Sequence, residues 1–492
     1  MQVQPDIMPE KDYFILQKDY EKLVRINKEQ QQKITFLEHE LAQLKRMVFG
    51  VKSERFVPSD SGQTSLWDST NEAKEEPQVE QVSYARKKPA GKGKAVRTEL
   101  PAHLPRQTEV IEPENLEQGA KKIGQAVTEI LEYKPGKLFV TRYERPKYVQ
   151  QEKIIIADLP SLPIPQGNAA PSLLSHLLIS KFTDHLPFYR QVQMFKREGV
   201  NIAESTISGW FSASCKLLTP LYEVLKQKVQ RSDYLHADET PLPVKSSQKK
   251  ESLDKGYHWV YYSAHEKLVC FDYRPSRGRE GPADFLKNFS GALQTDGYAA
   301  YEKFDSKTGI TLLACMAHAR RYFDKALDND KARASYGLAK IQALYAIERE
   351  AKEQGLSFAQ RKELRQKEAV PILDNFEQWL KENLTQVLPK SAIGQAIAYT
   401  LKLWPRLKRY TENGKWNIDN NLVENSIRPV ALGRKNYLFA GSHQAAGYAA
   451  MMYSFLGTCK LNGVEPFEWL KGTLTKIPDT RLSELESLLP VK

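Results

Sequence analysis

Three acids in three unlike neighbourhoods carry the chemistry this chain can be read for. Asp238 lies in Tyr-Leu-His-Ala-Asp-Glu-Thr (234–240), Asp296 in Leu-Gln-Thr-Asp-Gly-Tyr (293–298), and Glu424 in Asp-Asn-Asn-Leu-Val-Glu-Asn-Ser-Ile-Arg-Pro (419–429). The first two follow short β-prone runs, where a strand end can hold a carboxylate. The third lies in a helical pattern, in which Glu424 and Arg428 share a face. Two strand-borne aspartates and one helix-borne glutamate suit a two-metal phosphoryl-transfer site. Hard oxygen ligands hold divalent cations, here two Mg²⁺ (or Mn²⁺), which stabilise the attacking and leaving oxygens of an in-line displacement. Against this stands the plain reading of solvated surface charge. The chain has 60 Asp plus Glu, so spacing alone does not single out three.

The residues around Glu424 strengthen the chemical reading. Asn421, Glu424 and Arg428 form one polar stripe, and Val423 and Ile427 form an adjacent apolar stripe that would hold the helix on a sheet. Asp419 or Asn420 can cap this helix, and Pro429 is expected to end it. Arg428, Arg434 and Lys435 then supply cations for phosphate oxygens, which the planar guanidinium suits, with bare surface charge as the alternative. In His-Ala-Arg-Arg, His318, Arg320 and Arg321 could contact DNA or buttress the site, although a structural histidine is the weightier reading of His318. Glu239 follows Asp238 directly, so it should point to the other strand face and stand outside a metal site.

These residues need a sheet and a helix to position them. Apolar β-rich stretches appear at 234–244, 257–263, 267–273, 292–295 and 310–316, giving a mixed α/β region. Pro241 and Pro243 cannot donate to a ladder, so the first strand is expected to end near Thr240, with Asp238 close to its exit. Residues 329–412 read as a charged helical insertion between Asp296 and Glu424.

The first half has another character. Residues 13–50 carry a heptad pattern, with Tyr20, Asn27, Ile34, Leu41 and Val48 at a and Leu16, Leu23, Gln30, Leu37 and Leu44 at d. This predicts a self-associating coiled coil over 1–56, stopping at Gly50; an amphipathic helix folded on its own domain is the alternative. Residues 57–100 are a polar linker whose stretch 85–97 holds six basic residues and no acid. Such composition predicts disorder, serving either as a tether on DNA phosphate or as an idle spacer. Residues 101–165 alternate β-like runs with Pro and Gly, the pattern of a small β-rich module. Within 166–230 an apolar helix, a turn at Gly199 and a Ser/Thr-capped helix carrying Trp210 resemble a helix-turn-helix, a pattern that any helical hairpin shares.

Composition bounds the remaining choices. At 492 residues, with 41% hydrophobic and 27% charged residues, the chain is a multidomain globular protein. No apolar run is long enough for a transmembrane helix and the N-terminus lacks a signal-peptide pattern, so the expected location is cytoplasmic, without a membrane partner. Four scattered cysteines offer neither a disulfide framework nor a Cys-x-x-Cys zinc site. A net charge of +12 and a pI near 9.1 favour a polyanionic partner, through phosphate neutralisation and counterion release.

Several stretches together resemble the insertion-sequence transposases of the IS-sixty-six type, in the DDE superfamily. They are Phe-Gly-Val-Lys-Ser-Glu-Arg (49–55), Lys-Phe-Thr-Asp-His-Leu-Pro-Phe-Tyr-Arg-Gln (181–191), His-Ala-Asp-Glu-Thr-Pro (236–241) and Cys-Met-Ala-His-Ala-Arg-Arg-Tyr-Phe (315–323). The fifth, long and unusual, runs from Asp419 through Arg434 and Lys435 to Ser442. The resemblance implies that Asp238, Asp296 and Glu424 are a DDE triad on an RNase H-like catalytic domain over 231–328 and 413–460. Residues 329–412 would be its helical insertion and 461–492 a C-terminal helical tail. The whole is then a multidomain α+β/α/β chain. It comprises a coiled coil, a small β module, a helix-turn-helix-like region and a mixed-sheet catalytic domain. Its implied partners are double-stranded DNA at element ends and target, a second copy of itself, and companion proteins of the same element, in a bacterial nucleoid. The family carries a four-cysteine zinc module, and the corresponding segment here, about 113–152, has no cysteine. His103 and His176 alone cannot close a tetrahedral site, so no structural zinc is expected. Two other readings stand beside the transposase: an RNase H-like nuclease that cuts without joining, and a domesticated, non-catalytic DNA-binding protein.

Overall fold

The aromatic and β-branched runs of the second half form one five-stranded sheet. In the computed structural model, which describes residues 136, 138–143, 147–150, 153–156, 160–165, 167–246 and 252–491, the heptad segment 13–50, the linker 57–100 and most of 101–165 lie outside the described residues. The chain divides into two units, one of them 50–159. In that unit β1 (Lys147–Gln150) pairs antiparallel with β2 (Lys153–Ile156).

In the other unit, β3 (Tyr234–Lys245), β4 (Leu253–Ser263), β5 (Leu268–Arg274), β6 (Gly291–Thr295) and β7 (Ile310–Ala314) lie in the order β5-β4-β3-β6-β7. Strands β3, β4 and β5 pair antiparallel with one another, whereas β6 runs parallel to β3 and β7 parallel to β6. Side chains alternate along a strand, and β3 shows it. Leu235 and Ala237 join a core built with the helices α1 (Pro171–Phe182), α2 (Phe188–Arg197), α3 (Glu204–Gln230), α11 (His443–Asn462) and α12 (Pro466–Lys476). Tyr234 joins a second core with α5 (Met316–Lys325), α6 (Lys331–Glu353), α8 (Val370–Leu384) and α9 (Ala392–Lys408). The short helices α4 (Glu280–Phe285) and α7 (Phe358–Leu364) complete the series before α10 (Asn421–Tyr437). Strand β5 would be an open edge, but α11 covers it. Ser454 Oγ accepts from Phe271 N at 2.8 Å and Thr458 Oγ1 from Val269 N at 3.3 Å, satisfying donors that would otherwise template aggregation.

Three expectations are corrected. Strand β3 does not end near Thr240 but continues through both prolines to Lys245. Lys245 N and Pro243 O bond Ala440, on the side away from β4, so odd-numbered residues of β3 turn their backbone groups that way. Strand β6 pairs β3 only as far as His236, so Pro241 and Pro243 remove donors where no ladder runs. Pro429 does not end its helix either. Helix α10 runs on to Tyr437, because Val430, Ala431 and Gly433 beyond the proline are buried and that packing offsets one missing N–H. Nor is the helix of Trp210 capped by Ser or Thr. Its N-cap is Ala203 without a side-chain bond, and Trp210 turns into the core. Gly199 does occupy the turn, at φ +79°. Among the described residues no helix is long and apolar enough to cross a membrane.

Candidate active site

Register brings the two aspartates together. His236 on β3 pairs Gln294 on β6, the last pair of that ladder, so Asp238 and Asp296 each lie two residues beyond it, Asp296 just past the end of β6. Alternation puts Asp238 on the face of β3 to which Tyr234 contributes. Asp238 Oδ1 accepts from Glu239 N at 2.8 Å, and Asp296 Oδ1 from Tyr298 N at 2.8 Å. Tyr399 Oη donates to the Asp296 carbonyl at 2.7 Å, tying the site to α9. Gly297 follows at φ +89°, and a Cβ there would lie 2.6 Å from Leu403 Cδ1. The left-handed φ is what favours glycine here, since the Leu403 methyl lies at the end of a flexible side chain.

Helix α10 supplies the third acid, and Asn420 fixes where the helix starts. Its Nδ2 donates to Ala237 O at 2.9 Å, its Oδ1 lies 3.0 Å from His236 Nδ1, and its backbone N–H points at Cys315 Sγ at 3.2 Å. Asn420 therefore stitches α10 to β3 and to the end of β7. Asp419, rather than Asn420, satisfies a first-turn donor, accepting from Asn421 N at 3.1 Å. Val423 and Ile427 are buried against the sheet, as the apolar stripe requires. Glu424, half-buried, then lies 3.8 Å from Arg321 through Oε2 and 3.8 Å from His318 Nδ1 through Oε1. Burial pushes the His318 imidazole down to about 4, so at neutral pH it is uncharged and its approach to Glu424 is no ion pair.

The carboxyls feel one another. Asp238 is raised well above the usual range by burial and then by the charges of Asp296, Glu239 and Glu424. Glu424 is raised by burial, against the pull of Arg321. Glu239 is pushed up to about 7 by burial and by Asp296, although Arg277 donates to its Oε1 at 2.8 Å. Glu239 is thus paired on the other strand face yet electrically part of the site. A group that binds protons better when folded makes the fold less stable as pH rises past its ordinary range. Neutralising Asp238 relieves this repulsion. Asp238→Asn is therefore expected to raise the melting temperature of metal-free protein at neutral pH, and to flatten its fall as pH rises above the ordinary carboxylate range. Calorimetry in chelator checks this, and a lower melting temperature than wild type at pH 7 would contradict it.

The outlying cations divide. Arg428 and Lys435 are exposed, and Arg428 pulls on Glu424 electrostatically. Arg434 is half-buried and its guanidinium donates to the Pro241 carbonyl, on the side of β3 that β6 leaves open. Arg320 is half-buried and its charge acts on Tyr345. Sequence reasoning missed Asn420 as a stitch, Tyr399 and Cys315. Among the described residues, Cys315, His318 and Glu424 are a group whose ligand atoms lie within 4.8 Å of one another. The Cys-x-x-His spacing of 315–318 was the available signal.

The description "Transposase IS66 family" matches residues 166–448, "Transposase C of IS166 homeodomain" matches 36–108, and "IS66 C-terminal element" matches 454–491. Uncharacterized protein y4qI of Sinorhizobium fredii is 33% identical, over 95% of this chain and 91% of its own. Uncharacterized protein y4jD of the same organism is 31% identical, over 92% of this chain and 94% of its own. No solved structure matches. The first description alone takes in β3, β6 and α10 with all three acids, and with it extending over more than half of the sequence, the chain belongs to the IS66 transposase family.

Proposed function

We propose that this chain is a DNA transposase of the DDE class, cutting at the ends of an insertion sequence and joining them to target DNA. The reading rests on one observation: the charges of Asp296 and Glu424 both act on buried Asp238, each aspartate lying two residues past the last pair of the β3–β6 ladder. The strand order, two parallel strands beside three antiparallel ones, is that expected of an RNase H-like domain. The acids fit a pair of divalent cations. Glu424 Oε1 is buried without a hydrogen-bond partner, and the repulsion borne by Asp238 is what a cation among these groups would relieve. Bound Mg²⁺ or Mn²⁺ would neutralise charge developing on the phosphate oxygens.

The chain's own residues do the rest. Arg321 holds one oxygen of Glu424, Asn420 sets the height of its helix, and Tyr399 fixes the Asp296 backbone. Water would attack the phosphodiester at the element end, leaving a 3′-hydroxyl that attacks a target phosphate by the same in-line displacement. Incubating the full chain with Mg²⁺ and DNA carrying the element's terminal repeats tests this. Joined product is expected; cutting without joining would leave the nuclease reading, and binding without cutting the non-catalytic one.

Exposed Arg428 and Lys435 would line the DNA path. Alanine at either is expected to weaken binding to any DNA sequence and to lower the log–log salt slope by about one unit. Arg428→Ala should also slow cutting, since its charge reaches Glu424. An unchanged slope would place these side chains off the path. Two element ends need two such sites, and the heptads of 13–50 provide for self-association. Removing residues 1–50 should lower the mass seen in light scattering, and an unchanged mass would assign assembly to another surface. The location proposed is the bacterial cytoplasm, at the nucleoid, with companion proteins of the same element as further partners.

A further inference from the structure

Three elements meet where β7 ends, and each brings a different kind of metal ligand. Cys315 is the residue after β7, His318 lies in the first turn of α5, and Glu424 in the first turn of α10. One ligand atom from each, a sulfur, an imidazole nitrogen and a carboxylate oxygen, lies within 4.8 Å of the others. His318 Nδ1 and Glu424 Oε1 face each other at 3.8 Å, and each is buried without a hydrogen-bond partner. Arg321 takes the other oxygen of Glu424, so Oε1 is left to this junction. Buried polar atoms without partners are costly, and two of them beside a thiol form an unfilled ligand set.

We propose that Cys315, His318 and Glu424 bind one transition-metal ion of the zinc class, at a place distinct from the cysteine-rich module that the sequence lacks. Sulfur, nitrogen and oxygen in one set select zinc or cobalt over magnesium, which prefers oxygen alone. Ligand atoms about 2.0–2.2 Å from a shared ion can stand 3.8 Å apart at a wide angle. The thiol proton leaves to solvent on binding. The Asn420 N–H, 3.2 Å from the sulfur, stabilises the thiolate as an outer partner. Three protein ligands leave a fourth position open. If Glu424 serves the cutting centre, as proposed above, an ion here withdraws it and zinc switches cutting off. That consequence alone rests on the transposase reading.

Cobalt titration of the reduced full chain, followed by sulfur-to-cobalt charge-transfer absorption, tests the site without any DNA. The expected result is a band saturating at one equivalent and displaced by zinc. It should be lost in Cys315→Ser and retained in Asp238→Asn, and His318→Ala should weaken binding at least about tenfold. The other cysteines, Cys215, Cys270 and Cys459, are buried elsewhere, so a band unchanged in Cys315→Ser overturns the site, as does no band in the folded wild type. A protein that shows the band but never cuts DNA supports the site while refuting the transposase reading. Zinc-insensitive cutting by a protein that shows the band overturns the switch.

Discussion

Replacing Arg365 with methionine is expected to destabilise the protein by about 3–5 kcal/mol, toward the lower end of that range. Arg365 is fully buried, and all five of its N–H donors are used. Nε and Nη2 grip Glu348 at 2.7 Å each, while Nη1 donates to the carbonyls of Tyr410 and Asn413 and Nη2 to that of Trp416. Methionine fills similar space but leaves those three carbonyls without that donor and Glu348 with Arg361 alone. Arg361 keeps the carboxylate partly compensated, which moderates the loss. The pinned segment 410–416 leads into Ile418, whose carbonyl accepts from Met316 N, and into α10. Loss of this grip should therefore loosen the Glu424 helix as well. Lysine should not rescue, because one ammonium cannot satisfy a fork of carbonyls and a bidentate carboxylate. Denaturant unfolding measures the change; a loss below about 1 kcal/mol would contradict this account of the guanidinium.

Much of the sheet was legible because its strands are dense in aromatic and β-branched residues, as in Tyr257-His-Trp-Val-Tyr-Tyr, and local composition marks such runs. Asp296 was legible for the same reason, since it directly follows β6, whereas Asp238, expected near a strand exit, lies within β3. What failed depended on neighbours distant in sequence. Pro241 and Pro243 look like strand breakers until β6 is known to stop at His236. Pro429 looks like a helix end until the residues after it are seen packed beneath. Arg434 reads as a free cation, yet it answers the Pro241 carbonyl, and no local pattern announces that pairing. The Arg365–Glu348 grip joins two helices across an intervening loop, so neither residue stands out from the charged run around it. Cys315 and His318 escaped because their spacing spans a strand end and a helix start, where it fits neither period.

The largest effect on activity is expected from the three acids. Asp238→Asn, Asp296→Asn and Glu424→Gln keep side-chain shape but remove the charge that holds a divalent cation. Each should slow cutting by at least about a thousandfold, equivalent to ~4 kcal/mol of transition-state stabilisation. DNA binding should survive, since Arg428 and Lys435 remain exposed and relief of repulsion around Asp238 favours the fold. The measurement that bears most directly on the central claim is therefore Mg²⁺-dependent cutting of terminal-repeat DNA by wild type and the three variants, with binding to the same DNA measured in parallel. The account predicts that wild type cuts and that all three variants bind without cutting. Cutting at the wild-type rate by any one variant would remove that residue from the site and contradict the assignment.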